Sequence, residues 1–157
     1  MFENEYMVFQ KVTFARLFST SGTYFGFESD GKRFFDDVAP GRPRIVQGMT
    51  VIALLETPNG FEDDGLLGWV DCDDGSIACD SALKHFCLFL AGAYFVYMFP
   101  LRAYDIFSPA NANGLAWFVA ALFGLFALVS LYLSVKTLLI KRALVAVREL
   151  IKGGFKP

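Results

Sequence analysis

The sequence predicts an α+β membrane protein: a small antiparallel β-barrel of five or six strands, a two-helix transmembrane hairpin, and an amphipathic C-terminal helix. Three observations predict it. Two runs without a full charge, His85 to Leu101 and Ile106 to Val135, stand in the second half of the chain. Short aromatic and β-branched segments punctuated by turn residues fill the first 80 positions. A basic segment with apolar residues at helical spacing follows the second run. The 157 residues are 55% hydrophobic and 19% charged, more apolar than the roughly 45–50% usual for soluble domains, and the excess sits in the two runs.

The strands come first, in a domain assigned to residues 1–81. YMVFQKVTFARLF (6–18) is rich in residues that suit a pleated surface. TYFGFES (23–29) and KRFFDDV (32–38) flank Asp30-Gly31, a two-residue hairpin signal. APGRPR (39–44) breaks the pattern. IVQGMTVIALLET (45–57) is the next strand, PNGFEDDG (58–65) a loop, and LLGWVDC (66–72) with SIACD (76–80) a last hairpin. Five or six short strands at nearly even spacing fit a barrel of OB-like or SH3-like type, which removes exposed edges by closure.

The stretch DCDDGSIACD (71–80) holds two cysteines and four aspartates, so metal and redox chemistry have to be weighed there. A turn at Asp74-Gly75 or at Gly75-Ser76 puts Val70, Cys72, Ile77 and Cys79 on one face and Asp71, Asp73, Ala78 and Asp80 on the other. The cysteines then act as small core hydrophobes. Structural zinc needs about four ligands, and the third cysteine, Cys87, falls in the first apolar run with His85 at its mouth. An EF-hand loop wants an acid where Gly75 stands and a glutamate where Ala82 stands. No metal site and no cofactor are expected.

Residues 82–135 form the predicted hairpin, with spans at about 83–101 and 114–135 and an outer loop at 102–113. Each apolar run matches the roughly 20 residues that cross a bilayer. Pro100 ends or kinks the first helix. Tyr97, Tyr104 and Trp117 suit an aromatic belt. Ala116, Ala120 and Gly124 recur every four residues, and Ala91-Gly92 lies mid-span in the first helix; small residues at this spacing let helices approach closely, within one chain or between copies in a homo-oligomer. Residues 1–20 open with acids and lack a continuous apolar stretch, so no cleavable signal is predicted there.

Charge sets the orientation. Residues 1–81 carry fourteen acids and six Lys or Arg, net −8, whereas 136–157 carry six Lys or Arg and Glu149, net +5. Lys and Arg beside membrane ends mark the cytoplasmic side. The tail is therefore expected in the cytoplasm, and an even number of spans returns the N-terminal domain there too. Within 136–157, Leu139, Ile140, Ala143, Leu144, Val147, Leu150 and Ile151 form an apolar stripe. Lys141, Arg148 and Lys152 lie opposite it. Such a helix is expected to lie on anionic lipid, with packing on the protein's own barrel or oligomer contact as alternatives.

There is no phosphate-binding glycine loop, no GxSxG, no HExxH and no carboxylate pair in apolar context, so no enzyme is expected. A domain of net −8 does not suit nucleic acid, although GKRFF (31–35) with Arg42 and Arg44 is a small basic-aromatic patch.

Four pieces carry a family resemblance over about residues 25–105: DGKRF (30–34), QGMTVIAL (47–54), LGWV (67–70) and DGSI (74–77), leading into a span. They resemble a bacterial group of small inner-membrane proteins labelled type VI secretion effectors, with an OB-like N-terminal domain followed by a membrane hairpin. Cys79-Asp80-Ser81 stands where many members carry Pro-His-Cys. In parts the chain is also similar to NfeD-like membrane-anchored OB proteins, which place the barrel after the spans. Neither group supplies catalytic residues. The resemblance implies a bacterial inner-membrane, multi-pass location and a link to interbacterial competition.

Two functions are expected on this basis. In the first, the protein is a non-enzymatic adaptor whose barrel recruits a protein partner, with Phe61 exposed among Glu62, Asp63 and Asp64 as the candidate contact. In the second, it is an effector or immunity component acting in the inner membrane.

Overall fold

The computed structural model describes residues 7–21, 24–38, 40–41, 43–58, 61, 65–106 and 109–153. Seven strands form two antiparallel sheets, followed by two helices. The strands are β1 (Val8–Thr13), β2 (Arg16–Ser21), β3 (Tyr24–Ser29), β4 (Lys32–Val38), β5 (Thr50–Leu55), β6 (Leu66–Asp71) and β7 (Ile77–Cys79). Helix α1 spans Ala82–Ile106 and α2 spans Pro109–Lys152. The chain forms two compact units: Met1–Asp80 with Leu139–Pro157, and Ser81–Leu138.

In the first unit the sheet orders are β1-β5-β6-β7 and β2-β3-β4. The segment expected as one strand over 6–18 instead breaks at Phe14-Ala15. Gly48 N–H donates to the Phe14 carbonyl, Phe14 N–H to Met49, and Ala15 N–H to Glu28. The chain thus leaves one sheet for the other at a corner held from both sides. Bulges at Leu17/Ser19, Phe25/Phe27 and Leu54/Leu55 add bend and twist. The Asp30-Gly31 turn is as predicted: both residues have positive φ, 51° and 76°, and Ser29 pairs with Lys32. The expected 45–57 strand shrinks to β5, because Gly48 (φ 86°) turns the chain just before it.

The core lies between the sheets. Phe14, Phe25, Phe27 and Trp69 meet edge-on or stacked, with ring centroids 4.8–5.9 Å apart. Val12, Val51, Ala53 and Leu55 fill the remaining space. Rings at this distance add specificity to the area they remove from water.

The outer face of β5-β6-β7 is also covered, which the sequence reading left open. Ile140 and Leu144 of α2 are buried with Leu54 and Val70, and Leu67, Ile77, Cys79, Ala143, Val147 and Ile151 pack round them. Strands buried on both faces read as continuous apolar runs, as VIALL (51–55) does.

In the second unit α1 runs through Pro100 to Ile106 rather than stopping there. The expected outer loop of 102–113 is correspondingly short: α2 begins at Pro109, and proline suits the first helical turn because its missing N–H has no intrahelical partner there. Both helices are long and apolar enough to cross a membrane.

Candidate functional site

In the Ser81–Leu138 unit the small residues seat one helix on the other. Ala116, Ala120 and Ala127 are buried. A Cβ placed on Gly92 would lie 3.1 Å from Ala127 Cβ, and one on Gly124 would lie 3.9 Å from Val96 Cγ2. Phe95 stacks on Phe123 at 4.9 Å. Ser134 Oγ donates to the Ala82 carbonyl at 3.2 Å. Of the predicted packing set, Gly92, Ala116, Ala120 and Gly124 lie along this contact, whereas the Ala91 side chain is exposed. The stripe missed at the sequence level is its continuation, Ala127, Ser130 and Ser134, all buried; its spacing of three and four residues carried the signal. The opposite surfaces are open and apolar: Leu83, Tyr97, Trp117 and Leu128 are each more than 60% exposed. Exposed apolar surfaces of this extent mark contacts with a membrane or with another protein.

The C-terminal part of α2 corrects the expected lipid contact of its apolar stripe. Ile140, Ala143, Leu144, Val147 and Ile151 pack on the sheet, while Leu139 and Leu150, from the same predicted stripe, are exposed. Lys141 and Lys152 are exposed and Arg148 is half-buried. A Cβ on Gly75 would lie 3.6 Å from Arg148 Cγ and from Lys152 Cε. The methylene stems of these two side chains therefore cover the 72–75 turn, as long cationic side chains commonly do. Arg148 also holds Glu149 at 3.0 Å.

That turn is a four-residue loop, not the expected two-residue one. Asp71 N–H donates to Ser76, and Gly75 N–H returns to the Asp71 carbonyl. Asp71 Oδ1 accepts from Asp73 N–H at 2.8 Å, and Asp74 Oδ1 from Ser76 N–H at 2.6 Å. The aspartates are thus there to satisfy turn amides. Val70, Ile77 and Cys79 share a face as expected. Ala78 does not lie on a polar face: paired with Trp69, it enters the core. Asp71, expected to point outward, is buried.

Cys72 and Cys79 are half-buried free thiols. Burial pushes the Cys72 thiol above its ordinary value, against the pull of Lys11. Burial does the same for Cys79, against Lys141. Hydrogen bonds from Ser76 hold the Asp74 carboxyl below the ordinary value. No group of three potential metal ligands occurs among the described residues.

Phe61 is not exposed. It is buried in the core, edge-on to Phe27 at 5.3 Å and against Phe34 at 5.5 Å. Glu62, Asp63 and Asp64 lie outside the described residues. The expected contact loop therefore loses its aromatic anchor to the interior.

Clefts open on this unit among the described residues. One, of about 440 Å³, lies between Arg44, Val46 and Met49 on one side and the 71–78 hairpin on the other. The second, of about 240 Å³, lies between Gln10 and Val12 of β1 and the tip of the β3–β4 hairpin at Ser29 and Lys32, with Phe34 and Phe61 beneath. The second cleft sets the polar groups of Gln10, Ser29, Asp30 and Lys32 beside the apolar Val12, Phe34, Pro58 and Phe61, the mix of apolar wall and few polar groups that ligand clefts use. Comparison with protein-family models, curated proteins and solved structures finds no match for this chain, so its function has to be read from its own residues.

Proposed function

We propose that the protein is a non-enzymatic binding module anchored in the bacterial inner membrane. In this reading the hairpin holds the chain in the bilayer, both termini are cytoplasmic, and the β domain recruits a protein partner. In the same reading the two sheets are the two halves of an OB-like fold, linked through the corner at Phe14-Ala15. The observation that carries the reading is the division of labour between the units. Ser81–Leu138 presents large apolar side chains outward, with Trp117 71% and Tyr97 70% exposed. The β domain encloses a separate aromatic core and leaves clefts open. The +5 charge of 136–157 supports the orientation.

The test replaces residues 81–138 by an unrelated two-helix hairpin of the same topology. Photo-crosslinkers at Gln10 and Val46 are then compared in cells between the native chain and the chimera. The same adduct in both supports a β-domain binding module, and adducts in neither sink it. Growth arrest on expression that persists when residues 1–80 are deleted moves the reading to the alternative, an effector acting through its hairpin.

A further inference from the structure

We infer that the free edge of β1, with the cleft beside it, docks an extended peptide segment of a partner protein. The segment adds a strand to the four-stranded sheet and places one side chain in the cleft. This rests on the binding-module reading and names its site.

The edge comes first. Among the described residues β1 pairs with β5 and with no other strand. The next stretch of the same chain is paired by β3, from Arg16 opposite Glu28 to Ser21 opposite Tyr24. β3 ends at Ser29, where the chain turns back at Asp30-Gly31. Alongside Val8–Thr13 no strand among the described residues therefore continues the ladder. An unpaired edge presents alternating N–H and C=O groups, and the ligand that matches this spacing is another extended backbone.

The cleft supplies the second observation. Ser29 lines it, is only 6% exposed, and its hydroxyl has no hydrogen-bond partner among the described residues. Buried hydroxyls are nearly always paired, so an orphan at the wall of a cleft points to a ligand group. Gln10, across the cleft, is exposed and offers an amide donor and acceptor. Phe34, Pro58 and Phe61 give the cleft an apolar wall, and Asp30 and Lys32 of the hairpin tip, of opposite charge, line it as well. A cleft of about 240 Å³ holds one large side chain. The fitting side chain has an apolar body and a hydrogen-bonding tip, as in tyrosine or glutamine. The hairpin tip stands on the far side of the cleft, which favours a single strand over the edge of a second whole sheet. On the outward face of β1, Phe9 is 45% exposed and ready to be covered by the same segment.

The test uses the full chain in lipid nanodiscs and acetylated heptapeptides Thr-Val-Thr-Xaa-Thr-Val-Thr, where Xaa is Tyr, Gln, Leu or Gly. The Tyr or Gln peptide should shift the amide resonances of Val8–Val12 and Ser29 and bind about tenfold more tightly than the Gly peptide. Methylating alternate peptide nitrogens should abolish binding. Ser29→Ala should weaken the Tyr and Gln peptides about fivefold and leave the Leu peptide unchanged. Peptides that leave the β1 amides unmoved at millimolar concentration, or that bind equally well when methylated, overturn the inference. If that happens while the Val46 crosslink survives in the chimera, the groove falls and the binding module stands. If both crosslinks are absent, both readings fall.

Discussion

Leu144 of α2 occupies the space that a side chain at Gly68 of β6 would need. A Cβ on Gly68 would lie 2.8 Å from Leu144 Cδ1 and 2.6 Å from the Ala78 carbonyl oxygen. Leu144 is fully buried over Leu54 and Val70. The glycine is therefore a seat for the helix and not a weak point in the strand.

Gly68→Ala should lower stability by about 1–3 kcal/mol through overpacking, because backbone on β7 cannot yield as a flexible side chain would. Leu144→Ala should cost about 2–5 kcal/mol as a cavity. The double variant should lose less than the sum, since the smaller residue at 144 relieves one of the two contacts. Thermal unfolding of the four proteins in detergent checks this, and strict additivity would mean that the two residues do not touch.

The tail was legible as a helix and not in its role. The 3.6-residue spacing of Ile140, Ala143, Leu144, Val147 and Ile151 predicted the apolar stripe, but a stripe is the same whether lipid or a sheet covers it. The resolving signal lay 76 residues before Leu144, in a strand apolar on both faces and interrupted by Gly68. Asp30-Gly31 was legible because a two-residue turn is a local event. The corner at Phe14-Ala15 was not, because it is held by Glu28 of β3 and by Gly48 and Met49 just before β5, all distant in sequence. Phe61 was misread because its acidic neighbours mark a solvated loop, while Phe27 and Phe34 draw the ring inward.

Leu144→Asp separates the two roles of the tail. On the sheet-packed helix it places a carboxylate against Leu54 and Val70 and should unfold the β domain, read as rapid proteolysis of residues 1–80 in the full chain. Lys141→Gln with Lys152→Gln should leave that protection unchanged, because both side chains are exposed. A β domain still protected in Leu144→Asp would return the stripe to lipid.

Cys72 and Cys79 should be alkylated at pH 8 more slowly than a free thiol, because burial raises both pKa values and keeps them protonated. The linkage sign follows. A raised folded-state pKa favours folding fully below the ordinary thiol value of about 8.5 and loses that contribution as pH climbs through the raised values. The native chain should then lose more thermal stability between pH 8 and pH 10.5 than Cys72→Ala/Cys79→Ala does. Equal losses would show that the thiols titrate as if unfolded.

A reporter active only in the cytoplasm should work when fused before Met1 or after Pro157, and one active only outside should work when inserted at Asn111. This is the orientation proposed from the six Lys or Arg of 136–157. Replacing Lys136, Lys141 and Arg142 by Gln should produce a mixed population, read as activity from both reporter types. A wholly external N-terminus in the native chain would reverse the assignment.

Gly92 should be the position in α1 least tolerant of added volume. Its backbone lies against Ala127, 3.1 Å from where a Cβ would stand, with Phe126 Cδ1 at 3.3 Å. Leucine there has to push the helices apart, at about 1–3 kcal/mol. Ala91→Leu is the control, since Ala91 is exposed one residue away. The reporter is a disulfide between cysteines placed at Val96 and Gly124, where the two positions already approach within van der Waals contact, in a chain whose native cysteines are alanine. Oxidation in membranes should link the pair readily in the parent and in Ala91→Leu, and poorly in Gly92→Leu. If Gly92→Leu crosslinks as fast as its control, the two helices are not seated on the small-residue stripe.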